Sequence, residues 1–174
     1  MNKLQLEQCI RDYGKEIYSL CLHLTGSVQE AEDLYQDTFL KAMELITSID
    51  YEKNPKSFLL SIALRLWKNK KRKYAWRMRI AGTESLVEEA VENLEGEQYP
   101  EEEIICKETH EMVRNAVARL EEKYRITVYL HYTAQLSVDE IASVLKIPQG
   151  TVKTRLYKAR KLLKEELEVV LDEI

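Results

Sequence analysis

Glycine, proline and phenylalanine are scarce in this chain, at five, three and two among 174 residues. So few turn-formers and so little Phe argue against a sheet-rich fold. Three cysteines, Cys9, Cys21 and Cys106, are odd in number and widely spaced, which excludes a CxxC site and a disulfide framework. They are expected to be small, partly buried residues in a reducing compartment. His23, His110 and His131 are equally scattered, so each is expected to be structural and not a ligand. There is no nucleophile–base–orienter set, no phosphate-cradling glycine loop and no metal-ligand spacing. No cofactor and no metal are therefore expected, and the chain is not expected to be an enzyme. No apolar run approaches the length of a membrane span, and the opening MNKLQLEQC lacks a signal-peptide core. A cytoplasmic location is predicted.

What the chain does have is helix-forming composition and unevenly placed charge. Leu, Glu, Lys, Ala and Arg dominate, and 45% of residues are hydrophobic, enough for packed helical cores. The net charge of −4 hides strong segregation. Residues 65–79 hold eight bases and no acid, while residues 84–103 hold nine acids and no base. Residues 149–164 are cationic again, with six bases and no acid. Two basic patches separated by an acidic stretch suit a nucleic-acid partner better than the total suggests.

Periodicity predicts the helices. Leu6, Ile10, Tyr13, Ile17, Leu20 and Leu24 recur at threes and fours, and Thr25-Gly26 can end that helix. Ser27 with Glu30 offers a capping box for a second helix running to about Thr47, with Val28, Ala31, Leu34, Thr38 and Leu45 on its buried side. A short polar loop containing Tyr51 follows. Asn54-Pro55 can cap and open a third helix through Phe58, Leu59, Ile62, Ala63 and Leu66 into KNKKRKYAWR. Residues 81–103 read as a flexible acidic linker, being poorly periodic and containing Gly96 and Pro100. Helical patterning returns with Val113, Ala116, Val117 and Leu120, then Ile126, Val128, Leu130 and Tyr132. The expected fold is all-α: two small helical domains, residues 1–80 and 104–174, joined by that linker.

The most telling stretch is LSVDEIASVLKIPQGTVKTRLYKARKLL. Ser137 and Glu140 form a capping box, and Ile141, Val144 and Leu145 share a face. Lys146-Ile147-Pro148 breaks the pattern, and Pro148 can open the next helix. There Val152, Leu156, Ala159 and Leu163 make an apolar stripe, with Lys153, Thr154, Tyr157, Lys158 and Lys161 largely on other faces. A helix that enters a major groove needs this division, with an apolar anchor behind and cations and hydrogen-bonding groups in front. Basic amphipathic helices also occur as solvated surface, but cap, turn and charge asymmetry here agree on a helix-turn-helix.

Two stretches in this order resemble one family. EAEDLYQDTFLKAM (residues 30–43), followed by FLLSIALRLWKNKKRK (residues 58–73), is similar to region two of bacterial sigma factors, and the helix-turn-helix is similar to region four. A chain this short with no intervening region three resembles the extracytoplasmic-function sigma factors of the sigma-70 family. The resemblance implies a region-two helical bundle and a region-four helix-turn-helix domain that together bind core RNA polymerase, direct it to promoters and open the DNA. It implies that Asp33, Gln36, Asp37, Phe39 and Leu40 meet the polymerase, with Phe39 equally well read as core. It implies that Tyr51, Arg65, Lys68, Asn69, Lys70, Lys71, Arg72 and Lys73 serve the −10 element by stacking, readout or phosphate contact. Trp67 reads better as core than as a base contact, and Tyr74 and Trp76 can simply finish the helix. Lys153, Thr154, Tyr157 and Lys158 are expected at or near −35 base edges, with Arg155, Arg160 and Lys161 on phosphates or in internal ion pairs. The family usually works with an anti-sigma factor, often membrane-anchored, and commonly in stress responses.

Two departures from the family pattern stand out. Leu64-Arg65 occupies the place of a common Arg-Asn pair, which bears on the −10 preference. Glu121 follows Leu120 where a proline is usual, so a changed helix start is expected. Three other functions compete: a stand-alone helix-turn-helix regulator, which would need no basic-aromatic run at residues 65–79; an interaction adaptor; and a nucleic-acid enzyme, disfavoured by the missing catalytic set.

Overall fold

The computed structural model describes residues 1–80 and 104–172, so the predicted acidic linker lies outside the described residues. The described residues form helices and helical turns with no strands, in two compact units.

The first unit is a three-helix bundle. Helix α1 (Lys3–Thr25) opens on a capping box between Asn2 and Gln5 and closes at Gly26, whose φ of 71° is left-handed. Helix α2 (Val28–Glu44) packs on α1, and α3 (Pro55–Ile80) packs on both. The buried stripe of α1 runs through Leu6, Cys9, Gly14, Ile17, Leu20, Cys21 and Leu24. It is turned slightly from the predicted one, because α1 faces two neighbours: Cys9 is buried and Ile10 is left exposed on the rim. Gly14 marks a close approach, since a Cβ there would lie 2.9 Å from the Tyr35 hydroxyl oxygen. On α2, Ala31, Leu34, Thr38, Phe39 and Ala42 are buried, but Val28 in the first turn is exposed. The helix ends at Glu44, short of Thr47, and two 3₁₀ turns (Ile46–Ser48 and Tyr51–Lys53) carry the chain to α3. The Asn54 carboxamide accepts the Ser57 N–H at 2.9 Å, the predicted cap beside Pro55.

The Ser27 cap is only half the predicted box. Its hydroxyl accepts the Glu30 N–H, but the Glu30 carboxylate instead meets the Lys70 ammonium of α3 at 3.3 Å. Cys9 and Cys21 are both buried in this core. Burial raises the pKa of each thiol, and pushes that of Cys21 up to about 12. His23 is structural, its Nδ1 within 2.7 Å of the Ser19 carbonyl oxygen.

The second unit gathers α4 (Ile104–Arg119), α5 (Glu122–Val128) and α6 (Val138–Leu145) against the long α7 (Gln149–Asp172). Leu120, Tyr124, Val128 and Ala159 pack together with Leu163 behind them. Helix α5 starts from Glu121, whose carbonyl accepts from Tyr124 and Arg125 at 2.8 and 3.0 Å, so the helix forms without the proline. A π-helical turn (Tyr129–Thr133) links α5 towards α6, and His131 Nδ1 lies 3.1 Å from the Leu136 carbonyl oxygen. Val113 and Tyr132, predicted on the apolar face, are exposed. The wider turn rotates Tyr132 away from the run of buried residues before it.

Candidate nucleic-acid interface

The turn between α6 and α7 fixes the pose of α7. Ser137 and Glu140 form the full capping box, at 3.3 Å from the Glu140 N–H to the hydroxyl and 2.7 Å from the Ser137 N–H to the carboxylate. Lys146 ends α6 in the left-handed region at φ 55°, and Ile147 donates to the Ala142 carbonyl at 3.1 Å. Pro148 then accepts from Thr151 and Val152, so it stands just before the helix and Gln149 is the first helical residue.

On α7, Val152, Leu156 and Ala159 are buried and Leu163 half-buried, as the pattern predicts. Helical geometry puts Gly150, Thr154, Tyr157 and Lys161 opposite that stripe, with Lys153 and Lys158 on either flank. Lys153, Thr154, Tyr157, Lys158, Arg160 and Lys161 are all exposed, and Tyr157 is 70% exposed. Arg155 is half-buried and lies towards the core side. The Thr154 hydroxyl donates to the Gly150 carbonyl at 2.8 Å, leaving its lone pairs outward. Lys161 makes a 3.7 Å ion pair with Glu165, an exposed and weak contact that a phosphate can replace. Gly150 was not singled out by sequence reasoning. A Cβ there would meet nothing within 4 Å, so the fold of this unit does not require glycine at that position.

On α3 the structure sorts the cations. Lys70 is tied to Glu30, and the Lys71 ammonium lies 5.3 Å from the Trp67 ring centre. Trp67 itself is core, at 7% exposure. Among the described residues, Arg65, Lys68 and Lys73 are exposed and have no carboxylate partner. Asn69 is half-buried and accepts from Arg72 at 3.5 Å. Tyr51 is half-buried in the second 3₁₀ turn, near Tyr13 of α1. Lys56, at the start of α3, reaches Glu16 at 3.5 Å and so pins this loop to α1.

A third surface lies on α2. Asp33, Gln36, Asp37, Leu40 and Met43 are exposed at spacings of three and four, which makes one outward stripe. Phe39 is not part of it. It is 8% exposed and packs edge-on against Tyr35 with ring centres 4.9 Å apart, so the reading of Phe39 as a partner contact gives way to that of a core residue. One helical step of about 100° separates it from Leu40, which is 59% exposed.

Residues 9–77 match the family Sigma-70 region 2, and residues 110–163 match Sigma-70, region 4. The chain is 35% identical over 159 residues to the ECF RNA polymerase sigma factor SigW of Bacillus subtilis, spanning 89% of this chain and 84% of that protein. This chain belongs to the extracytoplasmic-function sigma factors. The RNA polymerase sigma-H factor of Pseudomonas aeruginosa is 26% identical, over 99% of this chain and 91% of its own. The fold is similar to that of the sigma factor RpoE of Bartonella quintana, solved with the anti-sigma factor NepR. The TM-score there is 0.75 at 23% identity, covering 94% of this chain and 96% of that one.

As a sigma factor the protein is a transcription initiation factor for RNA polymerase. Region 2 coincides with the three-helix bundle and carries both the α2 stripe and the cationic face of α3. Region 4 coincides with the helix-turn-helix unit. Among the described residues, no helix is long and apolar enough to cross a membrane.

Proposed function

We propose that this sigma factor brings core RNA polymerase to its promoters through three separate surfaces. The stripe of Asp33, Gln36, Asp37 and Leu40, extended by Met43, docks on the polymerase. Tyr51 and the outward bases of α3, Arg65, Lys68, Arg72 and Lys73, serve the −10 element, with Asn69 as a polar reader. Lys70 and Lys71, engaged with Glu30 and the Trp67 ring, add their charge to this face. The outer face of α7 reads the −35 element, Lys153, Thr154, Tyr157 and Lys158 towards base edges and Arg155, Arg160 and Lys161 towards the backbone. Residues 1–80 and 104–174 act as the two domains, and residues 81–103 as an acidic tether between them. The factor works in the cytoplasm and performs no catalysis of its own.

The observation that supports this reading most is the division of α7, with a buried apolar stripe on one side and an exposed cationic face with Tyr157 on the other. Phosphate contacts there would act on all sequences and weaken with salt, whereas contacts to base edges discriminate. RpoE of Bartonella quintana and CnrH were each solved with a partner, NepR and the cytosolic domain of CnrY. An anti-sigma factor is the corresponding regulator proposed here. It would cover surfaces such as Leu40 and Met43, which are exposed in the free chain.

The test is dependence on core enzyme. The protein mixed with bacterial core RNA polymerase is expected to protect the −35 and −10 elements upstream of its own gene and to give run-off transcripts. The protein alone is expected to protect neither. Protection by the protein alone would favour a stand-alone regulator.

Gly150 supplies a second expected result. Replacing it with Ala should stabilise the isolated protein by about 0.5–1 kcal/mol in denaturant unfolding, since glycine is a poor helix former. The same change should weaken −35-dependent promoter binding about tenfold, because the added methyl stands where the DNA approaches the helix. A gain in both stability and binding would remove Gly150 from the interface.

A further inference from the structure

The loop between α2 and α3 is fastened at both ends, and by different physics. At its start Ile49 is 2% exposed and plugs into the bundle. At its end Asn54 turns the chain into α3 at φ 82°. That left-handed conformation suits Asn better than most side chains, but it persists only where the surroundings hold it. A fastening from α1 lies beside it. Lys56, two residues on, places its ammonium 3.5 Å from Glu16 Oε1 and 5.8 Å from the centre of the Tyr13 ring. Tyr51 sits between the two fastenings, half-buried. It is close enough to Tyr13 to help raise that phenol's pKa, after burial, Cys9 and Asp12.

This ion pair is unlike its neighbours. The Lys56 and Glu16 side chains are 16% and 32% exposed, whereas those of Lys41–Glu44, Lys70–Glu30 and Lys161–Glu165 are largely open to water. Solvent and salt screen a half-buried pair less, and removing Glu16 would leave the Lys56 ammonium half-buried without that carboxylate. Lys56 would then swing towards water and away from the Tyr13 ring. The buried Leu59, Leu60 and Ile62 of α3 would stay packed, so the bundle would hold while the loop end loosened. A side chain discriminates between bases only when supporting residues hold it in one place. Tyr51 depends on that support.

We propose that Glu16 of α1 is a positioning residue for −10 recognition, holding Lys56 against Tyr13 and so setting where Tyr51 stands. The inference rests on the assignment of Tyr51 to the −10 element above. It extends the −10 apparatus to a helix to which no promoter contact is assigned. It gives Glu16 an effect on selectivity, and none on core assembly or on the −35 contact.

The test uses holoenzyme reconstituted with each variant and run-off transcription from two templates. One is the promoter upstream of its own gene, the other the same promoter with its −10 element base-substituted. The ratio of the two yields measures −10 discrimination. Glu16→Ala and Lys56→Met are each expected to lower that ratio roughly fivefold, and the double variant no further than either alone, because all three break one contact. Glu16→Gln keeps an oxygen that can accept from the ammonium and is expected to stay within about twofold of wild type. The free Glu16→Ala protein should still unfold cooperatively and co-elute with core enzyme. Equal loss on both templates would make Glu16 a merely structural residue. Loss with Lys56→Met alone would make Lys56 a direct DNA contact, and a double variant down by the product, about twenty-fivefold, would make the two residues independent. Each of these overturns the proposal. Tyr51→Ala is the control. If it leaves the ratio at the wild-type value, the −10 reading of this loop fails and takes the proposal with it, whatever Glu16 does.

Discussion

Replacing Lys153 and Lys158 together with Ala should reduce transcription from a −35-dependent promoter at least a hundredfold while leaving core assembly intact. Each lysine flanks the outer face of α7, and neither has a partner among the described residues that its loss would strand. A good contact to a base edge is worth about 1–3 kcal/mol, so two losses of about 1.4 kcal/mol each already reach that factor. The fold should survive, because Val152, Leu156 and Ala159 are untouched and both lysines are exposed. Run-off transcription with wild-type and double-variant holoenzyme, on promoters with and without the −35 element, measures this. A loss of equal size on both templates would assign the lysines to the DNA backbone in general.

The second large effect is expected on α2. Leu40→Asp should weaken core-polymerase binding at least thirtyfold, the scale of a buried apolar anchor worth about 2 kcal/mol or more. It should leave the thermal unfolding of the free protein close to wild type, since Leu40 is already exposed. Phe39→Ala is the informative neighbour. Phe39 packs on Tyr35 inside the bundle, so its truncation should destabilise the first unit by about 3–5 kcal/mol and impair every function that needs the fold. Co-elution with core enzyme, read beside circular dichroism, separates the two. Normal core binding by a folded Leu40→Asp protein would move the docking site off this stripe.

These adjacent residues also show where sequence reasoning stops. Phe39 and Leu40 are both apolar and both lie near the acidic stretch, and only the phase of α2 against its neighbours decides which is covered. On α1 the predicted stripe is buried at Leu6, Ile17, Leu20 and Leu24, but Ile10 is exposed and Cys9 and Cys21 are buried beside it, because a helix touching two partners buries a wider face than a single stripe predicts. Features closed within a few residues were read well. The Ser137–Glu140 box, the Asn54 cap and the Val152–Leu156–Ala159 stripe depend only on local spacing and on one partner face. The Ser27–Glu30 box failed for the opposite reason. Lys70, forty residues away in sequence, claims the Glu30 carboxylate, and no local pattern announces that. Gly150 was passed over because a glycine in a first helical turn looks like a tolerated blemish until the space around it is known to be open.

The sealed cysteines bear on how such a factor could respond to its surroundings. A thiol with a pKa near 12 is almost never a thiolate in a cell, and oxidants attack thiolates. Cys21 is therefore deaf to peroxide and to disulfide exchange while the bundle is folded, and Cys9, also buried, has its pKa raised in the same direction. These two thiols pass through redox stress unchanged for as long as the bundle stays folded. A signal to region 2 has no entry through Cys9 or Cys21, whereas what covers or uncovers its exposed outer faces reaches it directly.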